Sequence, residues 1–199
     1  MTVAVFARAP VPGRVKTRLA RAIGDAAATA LHEKLVERSL ATARAAKLGD
    51  VELWCAPDAS HEFFADCVRR FGVTLRTQAG GDLGERMARV FDGHGMRPLV
   101  LIGSDCPALE PRDLLAAASA LHTHDAAFVP AEDGGYVLVA LARPAPVLFR
   151  DIEWGSAEVM RQTREQARRA DLRIAELRTL WDVDRPEDMA RLEREGLLA

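Results

Sequence analysis

The chain has no asparagine, and only three cysteines and one tyrosine among its 199 residues. Without asparagine there is no N-glycosylation sequon. The cysteines (Cys55, Cys67, Cys106) are odd in number and widely spaced, with no CxxC pair and no neighbouring histidine. That pattern argues against a disulfide framework or a zinc site and leaves reduced thiols. The apolar stretch at Pro98–Ile102 is far short of the ~20 residues a membrane span requires. The opening MTVAVFARAP lacks the basic and apolar regions of a signal peptide, so a cytoplasmic location is expected. Lysine is scarce, three residues (Lys16, Lys34, Lys47) out of 27 basic ones, a bias that reads as codon composition. With a net charge of −2 no global basic surface points to nucleic acid or anionic lipid. What is present, 49% hydrophobic and 28% charged residues, fits a globular protein and excludes disorder, collagen and coiled coil. The length favours a single domain over residues 1–199.

Apolar runs alternate with helical periodicity. Val3–Ala7 reads as a strand that stops at Pro10-Val11-Pro12-Gly13, where proline removes donors and fixes φ. From about Gly24 to Ala46 apolar residues recur at helical spacing (Ala27, Leu31, Leu35, Leu40, Ala43), with Asp25 as N-cap and Gly49 as stop. Val51–Ala56 is a second strand, and Asp58-Ala-Ser-His-Glu opens a helix whose apolar face carries Phe63, Phe64, Cys67, Val68 and Phe71. Strand Val73–Thr77, helix Leu83–Phe91, strand Leu99–Ile102, helix Pro111–Leu121 and strand Ala126–Val129 continue the alternation. Tyr136–Leu141 follows a connection too short for a helical crossover and is expected to insert antiparallel. A helix over roughly Ala157–Ala170, a weak strand at Leu172–Glu176 and a short helix opened by Arg185-Pro-Glu-Asp-Met close the chain. These elements predict an α/β domain of three layers, αβα, on a mainly parallel twisted sheet of about seven strands with one antiparallel strand. In such a sheet the ligand crevice lies at the carboxyl ends of the strands, so the segments after each strand carry the interest.

Four of those segments could carry chemistry. Arg8 to Arg18 places Arg8, Arg14, Lys16 and Arg18 in one loop, where a phosphate would meet guanidinium forks and backbone N–H groups. A Walker A motif needs glycine before Lys-Ser/Thr, and Val15 stands there, so an ATPase loop is excluded. In Leu99-Val-Leu-Ile-Gly-Ser-Asp-Cys-Pro107, Asp105 directly follows a buried strand and suits a divalent cation, or caps a turn. Glu132-Asp133-Gly134-Gly135-Tyr136 is a hairpin turn whose glycines supply positive φ; facing the crevice, their bare backbone would also admit a ligand, with Asp133 orienting a hydroxyl or adding to a metal shell. Asp182 and Asp184 alternate on an extended segment and so point the same way, while Asp188 reads as a charge at a helix N-terminus. No Gly-x-Ser-x-Gly elbow supports a serine hydrolase, and His122-Thr-His124 lacks a third ligand.

Together PVPGRVKTRLA, QAGGDLGERM, LIGSDCPAL, EDGGYVLVAL and WDVDRPEDM resemble the nucleotide-diphospho-sugar transferase superfamily of GT-A, Rossmann-like fold. Within it the chain is most similar to the DUF2064 or transferase 1 family of small bacterial glycosyltransferase-like proteins, and motif order is kept over nearly the whole length. The resemblance implies nucleotide binding by Gly13, Arg14, Lys16, Arg18, Gln78 and Gly84, with phosphates at the first four and the base edge at Gln78 and Leu83-Gly84. It implies a Mg²⁺ or Mn²⁺ ion held by Asp105 and Asp184. Two departures stand out: the first loop has one glycine where related loops have several, and Ser104-Asp105-Cys106 supplies one carboxylate where many glycosyltransferases of this fold carry Asp-x-Asp.

The expected function is therefore a metal-dependent transferase that moves a sugar from a nucleotide sugar to a small acceptor. Lys16, Asp105 and Asp133 are the candidate catalytic residues, and Asp133, Gly134 and Gly135 line the sugar or acceptor side. One alternative is nucleotidyl transfer, in which a phosphorylated or carboxylated molecule attacks a nucleoside triphosphate and pyrophosphate leaves. The other is a nucleotide-binding module without turnover.

Overall fold

The computed structural model describes residues 1–197. Seven strands form one sheet in the order β3-β2-β1-β4-β6-β5-β7: β1 (Thr2–Arg8), β2 (Val51–Ala56), β3 (Thr74–Thr77), β4 (Leu99–Ile102), β5 (Ala126–Pro130), β6 (Tyr136–Leu141) and β7 (Ile174–Glu176). All neighbours are parallel except β6, which runs antiparallel to both β4 and β5, as the short connection before it requires.

Strand residues alternate between two cores. Val3, Val5, Val100, Ile102 and Leu138 face α2 (Asp25–Ala45), α3 (Glu62–Phe71) and α5 (Pro111–Ala120); Ala4, Phe6, Leu101, Phe128 and Val139 face α4 (Leu83–His94), α6 (Val159–Arg169) and a 3-10 turn at Pro146–Phe149. A third, smaller cluster joins Leu19 of α1 (Thr17–Ile23) and Leu35 to Trp181, Val183 and Leu192 of α7 (Pro186–Glu195). That cluster pins the 181–184 segment beside the first loop.

The differences from the sequence expectation have local causes. Thr17–Ile23 is a separate helix, because Gly24 at φ 84° breaks it from α2; its seven residues are too short to show periodicity. Asp25 is the first helical residue and Gly24 its cap, and α2 stops at Ala46, three residues before Gly49. α3 begins at Glu62, capped by His61 Nδ1 accepting from Phe63 N–H at 3.3 Å, and Val68 points outward.

Candidate active site

The carboxyl ends of β1 and β4, with the β5–β6 turn and the 182–184 segment, enclose a cleft of about 670 Å³. Its first wall is the β1–α1 loop. Gly13 turns at φ 74°, and Lys16 caps α1 in the left-handed region at φ 48°, a conformation that costs a non-glycine residue about 1 kcal/mol. The surroundings hold it there. The Lys16 side chain is 5% exposed, and its ammonium lies 2.5 Å from Asp105 Oδ1 and donates to the Val183 carbonyl. Arg18 pairs with Asp184 at 2.6 Å, and both remain largely exposed. Arg8 and Arg14 line the same cleft and pair with no carboxylate among the described residues.

Asp105 leaves β4 and presents two different oxygens. Oδ1 is sealed from solvent and met by the Lys16 ammonium, while the side chain as a whole is half exposed. Desolvation opposes ionisation, yet Lys16, with His32 and Arg8 behind it, holds the Asp105 carboxyl below the usual carboxylate range. Asp182 goes the other way: burial, then the negative charges of Asp133 and Asp105, push it up to about 6. Asp182 and Asp184 do share a side, since Trp181 and Val183 between and before them face the small core. The two carboxylates differ in partner, however. Asp184, expected as a metal ligand, is taken by Arg18, and the carboxylates grouped around Asp182 are Asp105 and Asp133.

Hard oxygen ligands, the half-exposed Asp105 carboxylate and a neighbour, Asp182, whose charge lacks compensation together fit a divalent cation. No group of three such side chains is already assembled for one among the described residues. Asp105 and Asp182 are the two that fit best.

The glycines divide. Gly135 lines the cleft, and its N–H donates to Asp133 Oδ1 at 2.9 Å, so that Asp133 caps its own turn. Gly134, expected on the substrate side, instead lies against the segment before α6: at φ 93° a Cβ would fall 2.1 Å from the Ala157 carbonyl oxygen. Gly84, expected against a nucleotide, is buried under Trp154, whose Nε1 would lie 2.8 Å from a Cβ there. Gln78 does reach the cleft, with Nε2 donating to the Trp54 carbonyl at 2.8 Å and more weakly to Ala7 at 3.4 Å. Asp188 caps α7, accepting from the N–H groups of Asp184 and Arg185.

Sequence reasoning missed three cleft residues. His32, 4% exposed on α2, bonds the Arg8 carbonyl through Nε2 at 3.0 Å, and burial lowers its pKa beneath Lys16 and Asp105. Trp154 forms an aromatic wall against Tyr136 at 6.3 Å. Arg86 of α4 stands at the rim. A histidine at a core position of a helix and a tryptophan in a loop carry no local signal; only the topology brings them to the cleft.

This sheet order, with a basic loop after β1, defines the class: the chain has the fold of the nucleotide-diphospho-sugar transferase superfamily. It belongs to the DUF2064 family, described as an uncharacterized protein conserved in bacteria, which it matches over residues 39–156. A candidate nucleotide-diphospho-sugar transferase from Desulfovibrio desulfuricans G20 is 33% identical, with a TM-score of 0.86 over 98% of this chain and 87% of that one. A nucleotidyl transferase from Methanothermobacter is 16% identical, with a TM-score of 0.68 over 100% of this chain and 98% of that one. The CTP complex of CMP:2-keto-3-deoxy-manno-octonic acid synthetase is 13% identical, with a TM-score of 0.61 over 98% and 97%. The last two likenesses establish fold alone. No curated protein matches the chain. Among the described residues no helix is long and apolar enough to cross a membrane.

Proposed function

We propose that the chain is a transferase that moves a sugar from a nucleotide sugar to a small acceptor. The observation that carries this reading is the buried Lys16 side chain, held in a strained backbone and aimed between Asp105 and the Val183 carbonyl, where it faces a cleft of about 670 Å³, large enough for a nucleotide. Lys16, Arg14 and Arg18 would neutralise the charge that develops on a departing nucleoside diphosphate. Asp133, free at Oδ2 once Oδ1 accepts from Gly135, would take the proton of the acceptor hydroxyl. Asp105 and Asp182, with Asp184 if Arg18 swings away, would hold Mg²⁺ or Mn²⁺, which supplies charge neutralisation at the phosphates when bound.

A second reading, nucleotidyl transfer, is favoured by the loop itself: Arg8, Arg14, Lys16 and Arg18 are more cations than a diphosphate needs, and suit a triphosphate. The experiment is incubation with a panel of sugar nucleotides and Mn²⁺, with chromatography of the products. Slow release of nucleoside diphosphate, suppressed in Asp133→Ala, supports sugar transfer. Pyrophosphate from nucleoside triphosphates, with no nucleoside diphosphate from any sugar nucleotide, establishes the second reading. Binding without either product leaves a nucleotide-binding module.

A further inference from the structure

We propose that Arg191 is a positioning residue of the cleft: it clamps the Asp133 turn to the segment that carries Asp182, and so keeps those two carboxylates together where a divalent cation would sit. The inference rests on the transferase reading, which gives Asp133 and Asp182 their roles, and adds the residue that sets their separation.

Arg191 stands on α7 beside Leu192, which is buried in the small core with Leu19, Leu35 and Val183, so its backbone is anchored. Its guanidinium spends every nitrogen. Nη1 and Nη2 fork onto the two oxygens of Glu132 at 2.8 and 3.2 Å, and Nε donates to Glu195 of the same helix at 2.9 Å. The guanidinium carbon lies 4.4 Å from the centre of the Trp181 ring, itself a buried side chain. Glu132 and Trp181 are each the residue immediately before a cleft carboxylate, Asp133 and Asp182. One planar cation thus ties two distant segments at the positions next to the two acids. An exposed ion pair alone would do little, but a rigid fork stacked on a buried ring and seated on an anchored helix loses little freedom on forming.

A clamp is needed at that point. Backbone bonds join the two segments as far as Leu180, whose N–H donates to the Pro130 carbonyl and whose carbonyl accepts from the Glu132 N–H, both at 2.9 Å. Beyond Leu180 no backbone bond links residues 181–184 to the turn among the described residues. Like charges act against the arrangement there, and of the neighbouring charges that of Asp133 weighs most on Asp182. Asp182 is fixed separately through Val183, whose N–H donates to the Asp105 carbonyl at 2.9 Å, so what Arg191 holds in place is the turn. Two carboxylates kept together before a cation arrives form a preorganised site, with the cost of gathering them met in folding.

Charge and position predict opposite signs for the loss of Arg191. Acting by charge alone, a cation beside the acids repels a metal ion, and its removal tightens binding; acting by position, its removal weakens it. Mn²⁺ alone is the probe, with uptake read from loss of the free-ion electron paramagnetic resonance signal. The expected affinity order is wild type, then Arg191→Lys, then Arg191→Met, the last at least fivefold weaker. Glu132→Asp keeps the charge but is too short to meet the fork, and should fall at least threefold; it carries the test if Arg191→Met does not fold. In an Asp133→Ala background neither change should weaken Mn²⁺, because the turn then carries nothing to position. Uptake by Arg191→Met equal to or tighter than wild type, an equal loss in the Asp133→Ala background, as general loosening would give, or no uptake by wild type overturns the proposal. The transferase reading fails separately, if no sugar nucleotide yields nucleoside diphosphate.

Discussion

Replacing Asp182 by asparagine should stabilise the protein at neutral pH. The folded chain raises this carboxyl to about 6, through burial and then the charges of Asp133 and Asp105, whereas the unfolded chain leaves it near its ordinary 3.8. A group whose folded pKa is raised binds its proton more tightly in the fold, so the fold is favoured at low pH. It loses that advantage as pH climbs between those two values. The penalty is complete above about pH 6. At 1.36 kcal/mol per unit it amounts to about 3 kcal/mol, and partial solvation of the side chain brings the expected gain from Asp182→Asn to about 2 kcal/mol. The assay is urea unfolding at pH 4 and 7.5 in EDTA, comparing midpoints at unchanged slope. A gain at pH 7.5 that vanishes at pH 4 is expected, and excess Mn²⁺ should stabilise wild type more than the variant. A variant no more stable than wild type at pH 7.5, or a gain equal at both pH values, refutes the argument.

Lys16→Ala should weaken all nucleotides about equally, by roughly 1.5–3 kcal/mol for one lost charged hydrogen bond, measured by calorimetry across four bases; a loss confined to one base contradicts phosphate contact. Gly134→Ala should destabilise by about 2 kcal/mol or more, since the positive φ and the Ala157 carbonyl both resist a Cβ; an unchanged urea midpoint would show the turn relaxes freely. The thiols of Cys55, Cys67 and Cys106, pushed by burial to about 12, 11 and 12, should resist a disulfide reagent at pH 8 until the chain unfolds; fast labelling of the native protein counts against this packing.

Much of the fold was legible because two periodicities dominate it. Leu99–Ile102 and Tyr136–Leu141 coincide with β4 and β6, and the antiparallel insertion follows from a six-residue connection with no room for a crossover helix. Helix starts were less legible: Gly24 rather than Asp25 caps α2, because positive φ decides there and the aspartate's hydrogen-bonding capacity does not. In the site, Lys16, Asp105 and Asp133 could be placed from their position after strands. Which carboxylates gather could not. Asp182 and Asp184 are equivalent by alternation, and Arg18, a residue 166 positions away in sequence, separates them. Gly84 and Gly134 read as ligand-facing because a glycine tolerates either a substrate or a neighbouring element; Trp154 and Ala157 are those elements.

Two charge pairs in the cleft, Lys16–Asp105 and Arg18–Asp184, have a consequence for binding under the transferase reading. Lys16 and Arg18 hold Asp105 and Asp184, so phosphates that recruit these two cations alone leave negative charge behind. A divalent cation arriving alone must take carboxylates from cations and leave positive charge behind. At the Lys16 pair a partial exchange strands a charge beside a nearly buried side chain, where an unpaired ion is more unfavourable than in water, while the exposed Arg18 pair adds little. Arriving together, phosphate and cation exchange partners with both pairs at once and strand nothing. Under that reading a positive coupling between nucleotide and metal would arise chiefly from the Lys16–Asp105 pair, and by linkage it would act equally in both directions.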